Sequence, residues 1–357
     1  MATKIHFVSL EQNENPSSAA KKLSALWDAC GAGGRFGKGS LVAVKTHFGE
    51  KGNTTHIDPA FVKTVVAKLK QAGCKPFLAE TSTLYKGNRM NAVDHIALAH
   101  EHGFGFDAVG APIIMMDGLL GDAEDEVEIP GRHFKKVNVA REVPRLHGVV
   151  VLSHLTAHPQ AGFGAAIKNL GMGLASRRGK RKQHSVVSPK VNPAKCTACG
   201  TCIEWCPQDA VSMVDGKAFI EKARCIGCGE CMVVCAFEAI PWDEEMESVP
   251  LQEMMAEHAA GVVKAAGGRL FYFNFMINIT KNCDCEEGGR ILSPDIGIVA
   301  GSDLVAVDAA TRDIFKERNG TSIEEASWPK LNGLVQIEHA RRLGLGGTGY
   351  ELVEVRA

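Results

Sequence analysis

Neither sign of charge prevails in this chain: 40 lysines and arginines face 41 aspartates and glutamates over 357 residues, a formal net charge of −1. That balance argues against general binding to nucleic acid or to an anionic membrane surface. Apolar runs are short, and none approaches the length needed to span a bilayer. The opening residues, MATKIHFVSLEQNENP, lack the apolar core of a secretory leader. A cytoplasmic location and no membrane insertion are the corresponding expectations. The chain also lacks the spacing of a P-loop, and no dinucleotide fingerprint lies between a strand and a helix. Its one dense basic run, Arg177-Arg178-Gly179-Lys180-Arg181-Lys182, has no aromatic platform beside it, so nucleic acid is not expected there. A solvated linker, or a docking patch for an acidic redox partner, suits that run.

Cysteine is what the chain does have, at 12 residues. Eight fall in two runs, Cys196-x2-Cys199-x2-Cys202-x3-Cys206-Pro207 and Cys225-x2-Cys228-x2-Cys231-x3-Cys235. A cubane of four irons and four sulfides takes one thiolate per iron, and in the bacterial ferredoxin spacing the fourth cysteine of each run serves the other cluster. The expected sets are Cys196, Cys199, Cys202 and Cys235 for one [4Fe-4S] cluster, and Cys225, Cys228, Cys231 and Cys206 for the second. A zinc site would instead use two separated pairs, and a disulfide framework belongs to small secreted domains. The runs form an internal repeat, CTACGTCIEWCPQDAV against CIGCGECMVVCAFEAI, in which Gly200 matches Gly229 and Ala210 matches Ala239. Small residues there let backbone N–H groups approach cluster sulfurs. Pro207 has Ala236 as its counterpart, a departure that leaves the ligands intact. Accessible clusters of this type are oxygen-sensitive, which implies an anaerobic or microaerobic host.

On both sides of the cysteines the pattern alternates between strand and helix. Lys4–Leu10, Leu41–Lys45, Pro76–Thr81, Pro112–Met116 and Val149–Leu152 are predicted strands, and Asn15, Asp58 and Asn91 each open a predicted helix. After the cysteines come a helix from Leu251 to Ala265, strands at 270–279 and 296–300, helices at 303–319 and 334–343, and a last strand near 351–355. The implied class is α/β, a largely parallel sheet flanked by helices. Length and pattern favour one α/β domain built from 1–189 and 246–357, with a ferredoxin-like unit at 190–245 inserted. Two α/β lobes bridged by that unit are the alternative.

Several stretches outside the cysteine runs carry further chemistry. Cys283-Asp284-Cys285 would place two sulfurs on one face of an extended chain, able to grip a metal or an edge of a third cluster; a pair of buried structural thiols is the plainer reading. His47 follows the strand 41–45 and His154 follows the strand 149–152, and ligands in parallel sheets bind outside the carboxyl ends of strands. His154 and His158 would share a face if that stretch were helical. With His56 these histidines are candidates for metal binding or proton transfer, against a bland reading as loop histidines. Lys45 and Glu80 fall at strand ends and are candidate acid–base groups. Lys168 lies in KNLGMG, which is either an anion site or a tight turn. Cys30 and Cys74 have the marks of ordinary buried residues.

The stretches KTHFGEKGNTTHIDP (45–59), HLTAH (154–158), GFGAAIKNLGMGLASRRGK (162–180), NITKNCDC (278–285) and DIGIVAGSDLVAVDAA (295–310), with both cysteine runs, resemble the DUF362 iron–sulfur proteins that carry an internal ferredoxin unit. The resemblance implies an α/β domain with iron–sulfur clusters and no particular substrate. The ligands imply electron transfer. The leading expectation is an oxidoreductase whose clusters feed a metal or small-molecule substrate site in the α/β domain, served by a redox partner protein. A non-catalytic carrier or adaptor subunit and a metallocluster assembly factor are the alternatives.

Overall fold

Fourteen strands are present in the computed structural model, which describes residues 3–85, 87–184, 189–225, 230–241, 244–286 and 289–356. They are β1 (Thr3–Ser9), β2 (Leu41–Lys45), β3 (Lys75–Glu80), β4 (Ile113–Met115), β5 (Glu124–Glu128), β6 (Lys136–Ala140), β7 (Gly148–His154), β8 (Thr156–His158), β9 (Gly162–Gly164), β10 (Val211–Val214), β11 (Lys217–Ile220), β12 (Leu270–Met276), β13 (Gly297–Gly301) and β14 (Tyr350–Glu354). Eight form one sheet in the order β14-β1-β13-β12-β7-β2-β3-β4, and the rest form three two-stranded ribbons. Five of the seven pairings in the large sheet are parallel; β13 alone runs against both of its neighbours. The expected class, a mostly parallel sheet flanked by helices, therefore holds.

The sheet is buried on both faces because its strands are apolar on both. Val149 and Val151 enter one core with the helix Glu244–Ala265, while Val150 and Leu152 enter the other with the helices Pro16–Ala29 and Pro59–Gln71. Period-2 alternation puts neighbouring side chains on opposite faces, so an apolar run suits a strand covered twice. Each fully buried Val, Leu or Phe contributes about 1.5–3 kcal/mol relative to exposure. Asn15, Asp58, Asn91 and Asp303 each accept a backbone N–H in the first turn of their helices, fixing where the chain leaves loop for helix.

Three local expectations are corrected. The basic run is no linker: Arg177–His184 is a helix, and Gly179 and Lys180 on it are buried. A Cβ at Gly179 would come within 2.3 Å of the Asn138 carbonyl oxygen, so only glycine allows that approach. The Lys168 segment is helical from Ala166 to Gly171, not a tight turn. His154 and His158 sit on β7 and β8, not on a shared helical face.

The described part of the cysteine-rich segment adds no strand to the large sheet. Its own ribbon is β10–β11, and its own small core contains Cys202, Cys206, Ala210, Val211, Ile220 and Cys231. Among the described residues, no helix is long and apolar enough to cross a membrane.

Candidate functional site

Chain order dictates where a site should lie. From β2 the chain moves outward through β3 to β4, then returns to place β7 on the other side of β2. Connections leave that junction in opposite directions, and such a switch point opens a crevice at the carboxyl ends of the strands. A cavity of about 820 Å³ is found there. His47 after β2, Glu80 at the end of β3, His154 at the end of β7, and Cys283 to Glu286 after β12 all line it. Lys168, Lys180 and His184 enter from the two short helices, and His158 from β8.

Beneath the cavity floor Lys45 is fully buried, with its ammonium bonded to Glu80 and to Asn169 Oδ1 at 2.7 Å. Asn169 donates to Leu152 O (2.9 Å) and Ser153 Oγ (3.0 Å), so one amide ties β7 to β2 at the switch point. Burial pulls Lys45 below the ordinary lysine range against the pull of Glu80. Burial alone would raise Glu80, yet Lys45, His95, His47 and Lys180 bring it down to about 2. Lys45 is thus a structural cation under the site, not a residue that lines it.

Asp284 and His154 form the second buried pair. The His154 Nδ1 lies 2.9 Å from the Asp284 carboxylate, and Nε2 donates to Ile277 O at 2.6 Å. Burial disfavours the charged ring, but Asp284 and the carbonyl outweigh it and raise its pKa. Burial likewise opposes ionisation of Asp284, but His154 lowers it to about 2. With both ring nitrogens engaged, His154 holds Asp284 in place and has no nitrogen left for a metal or a travelling proton. His158 is arranged differently. Its Nδ1 accepts the N–H groups of Gln160 and Ala161, each at 3.1 Å, which leaves the proton on Nε2. Burial and then Lys168 keep this ring well below the ordinary histidine pKa, hence neutral.

The two sulfurs of the Cys-x-Cys motif meet through a turn and not along an extended chain: Glu286 N donates to Cys283 O at 3.1 Å. The Cys283 and Cys285 sulfurs are hydrogen-bond partners. That bond, followed by burial, pushes Cys283 up; the same bond, against burial and aided by Lys168 and His47, brings Cys285 well down. His47 Nε2 is 3.8 Å from Cys285 Sγ, and its Nδ1 accepts from Gly49 N at 3.0 Å. Among the described residues, no group of three or more His, Cys, Asp or Glu is arranged to hold a metal ion. His56 does not line the cavity; it stacks on His102 at 4.8 Å and bonds Ile57 O.

Side chains that the sequence did not single out complete the wall. Arg89, 2% exposed, bonds Glu50 at 3.0 Å, contacts His47 Nε2 at 2.5 Å and bonds the Tyr85 hydroxyl. Lys180 donates to Thr81 Oγ1 (2.5 Å) and Ser82 O (2.6 Å), and burial lowers it to about 8. The loop after β3, which carries Arg89, and the glycine inside the basic helix were the signals available.

In the cysteine-rich segment, Cys196, Cys199, Cys202 and Cys235 line one small cavity, bringing three cysteines of the first run to the last of the second. Cys206 and Cys231 are buried in the adjoining core with Cys225 packed against it, and Cys228 lies outside the described residues. Ala210 N donates to Cys206 Sγ and Ala239 N to Cys235 Sγ, both at 3.2 Å, so the repeat extends to these N–H···S bonds. Ala218 N adds a bond to Cys196 Sγ at 3.4 Å. Trp205 and Val234, which precede Cys206 and Cys235, line the large cavity.

The fold and cavity define an α/β protein with a site at the carboxyl edge of a mostly parallel sheet. The chain belongs to the DUF362 family, a domain of unknown function, whose model matches residues 42–313. No curated protein matches it. Two solved structures are similar to it. The lactate racemase apoprotein from Thermoanaerobacterium thermosaccharolyticum has 12% identity and a TM-score of 0.41, over 83% of this chain and 54% of that one. A protein from Thermotoga maritima has 11% identity and a TM-score of 0.48, over 86% and 60%. This chain thus spans only 54% and 60% of the lengths of those two proteins.

Proposed function

We propose that the chain is an iron–sulfur electron-transfer protein, an oxidoreductase whose reaction takes place in the cavity at the sheet edge. The observation that carries this is shared lining. Trp205 and Val234, each adjacent to a cluster cysteine, wall the same cavity as Cys283, Cys285, His158 and Lys168. The residues fit the clusters: four cysteines around one cavity, three of the second set packed together, and backbone N–H groups aimed at sulfur. A cubane spreads its four thiolates over four irons, wider than a single ion would. Cys196, Cys199, Cys202 and Cys235 would hold one [4Fe-4S] cluster, and Cys206, Cys225, Cys228 and Cys231 the other. Bound there, such clusters supply one-electron transfer.

The chain's own groups do the rest. Backbone N–H groups donate to the sulfurs of Cys196, Cys206 and Cys235. Asp284, fixed by His154, holds the turn that presents Cys283 and Cys285, the pair that would carry a terminal metal centre in the cavity. His158 keeps a proton on Nε2 at the cavity wall. Apolar Met172, Leu251 and Met255 exclude water.

Anaerobic purification followed by iron, sulfide and EPR measurement tests the reading. Two cubanes give about eight irons and about eight sulfides per chain; a further metal lost in Cys283→Ser/Cys285→Ser would place the terminal centre at that turn. A colourless protein without sulfide, or one holding zinc at the cysteine runs, overturns it.

A further inference from the structure

We propose that the cavity takes a small organic anion, a carboxylate bearing an apolar body, with its charge set against Lys168 and the His158 Nε2–H. The inference rests on the cavity being the reaction site and names the class of molecule it receives.

Three carboxylates at the cavity are each matched by a cation: Glu80 by Lys45, Glu50 by Arg89 and Asp284 by His154. Lys180 is held by two neutral oxygens, of Thr81 and Ser82. Lys168 is different: it lines the cavity, and its ammonium makes no hydrogen bond or ion pair with a described residue. The groups that raise its pKa are Cys283, Cys285 and Asp284; Glu286 also faces it, and burial followed by Cys285 pushes that carboxyl up. Those neighbours outweigh burial and keep the Lys168 ammonium protonated, so it acts as a fixed cation and not as an amine nucleophile. Its position is built. A Cβ on Gly164 would come within 2.9 Å of Lys168 Cδ, so the side chain lies across Gly164 and a larger residue there would push it aside.

His158 supplies the second contact. Two backbone N–H groups occupy its Nδ1, so Nε2 carries hydrogen and donates. A donor beside an ammonium recognises an oxyanion, whereas a metal cation would need the lone pair that Nε2 lacks. Met172, Leu251, Met255, Trp205 and Val234 form the apolar remainder of the wall. An inorganic anion would leave that wall in contact with water, while the body of an organic acid covers it.

Calorimetric titration of anaerobically purified full-length protein tests this, with benzoate and hexanoate as probes, each against its uncharged amide. The expected result is that at least one acid binds about tenfold or more tightly than its amide. Lys168→Gln should abolish the preference, and Lys168→Arg, which keeps the charge, should retain it and so separate lost charge from a damaged fold. Equal binding of acid and amide, no binding of either acid below about 10 mM, or a preference that survives Lys168→Gln overturns the proposal. Iron and sulfide are measured on the same samples. A carboxylate preference in protein without clusters would sink the electron-transfer reading alone; full cluster content without the preference would sink this one alone.

Discussion

At the scale of single residues, the ion pair under the cavity carries a sharp prediction. Lys45 and Glu80 are both buried, so removing one partner strands the other charge. Lys45→Met should destabilise the protein by about 3–5 kcal/mol, and Lys45→Met with Glu80→Leu should recover much of that loss, because a packed apolar pair replaces a packed ion pair at little cost. Urea unfolding measures both. The sign with pH follows from Glu80, whose carboxyl is lowered from about 4.5 to about 2. Its contribution is complete above about 4.5 and is lost as pH falls toward about 2, so the stability gap between wild type and Glu80→Gln should close across that window. Cys285 gives a second test. Cys283 and then Lys168 draw its pKa well below that of an ordinary thiol, while Cys283 itself is pushed up, so iodoacetamide at pH 6.5 should label it ahead of Cys283. Lys168→Met, which removes a stabilising charge, should slow that labelling by about tenfold for each unit of pKa restored; peptide mass spectrometry reads the rate, and an unchanged rate would exclude Lys168 as the cause. Much of this site was legible beforehand, because His47, His154, His158, Lys168, Cys283 and Cys285 follow strand ends or stand in unusual motifs. Roles were less so. That His154 is locked and His158 is not depends on the Asp284 carboxylate and two backbone N–H groups, contacts that only the folded chain creates.

Among the elements, the helix Glu244–Ala265 is held by a carboxylate. Glu257 is fully buried and accepts the N–H groups of Arg132, His133 and Phe134 at 2.7–3.0 Å, and His339 Nε2 lies 3.1 Å from it. Burial would raise its pKa, but these four donors lower it. Glu257→Gln should cost about 2–3 kcal/mol at neutral pH. The difference from wild type should shrink as pH falls through the folded-state pKa, since a depressed carboxylate stabilises only while ionised. Urea midpoints at pH 7 and pH 2.5 check this, and a gap that does not narrow would mean the loss is one of packing. The caps Asn15, Asp58, Asn91 and Asp303 are local chemistry, and the helices they open were readable for that reason. The helix Arg177–His184 was not, because a charge-rich string looks solvated until Gly179 is seen against the Asn138 carbonyl. The ribbon β5–β6 was also missed, since EDEVE has the composition of an acidic loop. The direction of β13 had a different obstacle. Among the described residues no helix joins β12 to β13; the chain turns back antiparallel beside β12, and that connection is the one carrying Cys283 and Cys285.

For the molecule as a whole, the sheet offers a test of how the cysteine-rich segment is attached. Strands β1–β4 and β7 precede it, β12–β14 follow it, and all eight sit in one sheet with two continuous cores, one on each face. The helices Arg177–His184 and Glu244–Ala265, which flank the segment, pack on each other. If 190–245 is an insertion, its two ends are close, and a short Gly-Ser linker can replace it without stretching the fold. The excised chain should be colourless and free of sulfide yet unfold in one cooperative transition, with far-UV circular dichroism matching the α/β remainder. Trp205 and Val234 leave with the segment, so the cavity should open on that side and the carboxylate preference should weaken while Lys168 and His158 stay in place. A chain that fails to fold after excision would show that the sheet depends on the cysteine-rich segment, and the account of an α/β scaffold with a separable electron-carrying insert would fall.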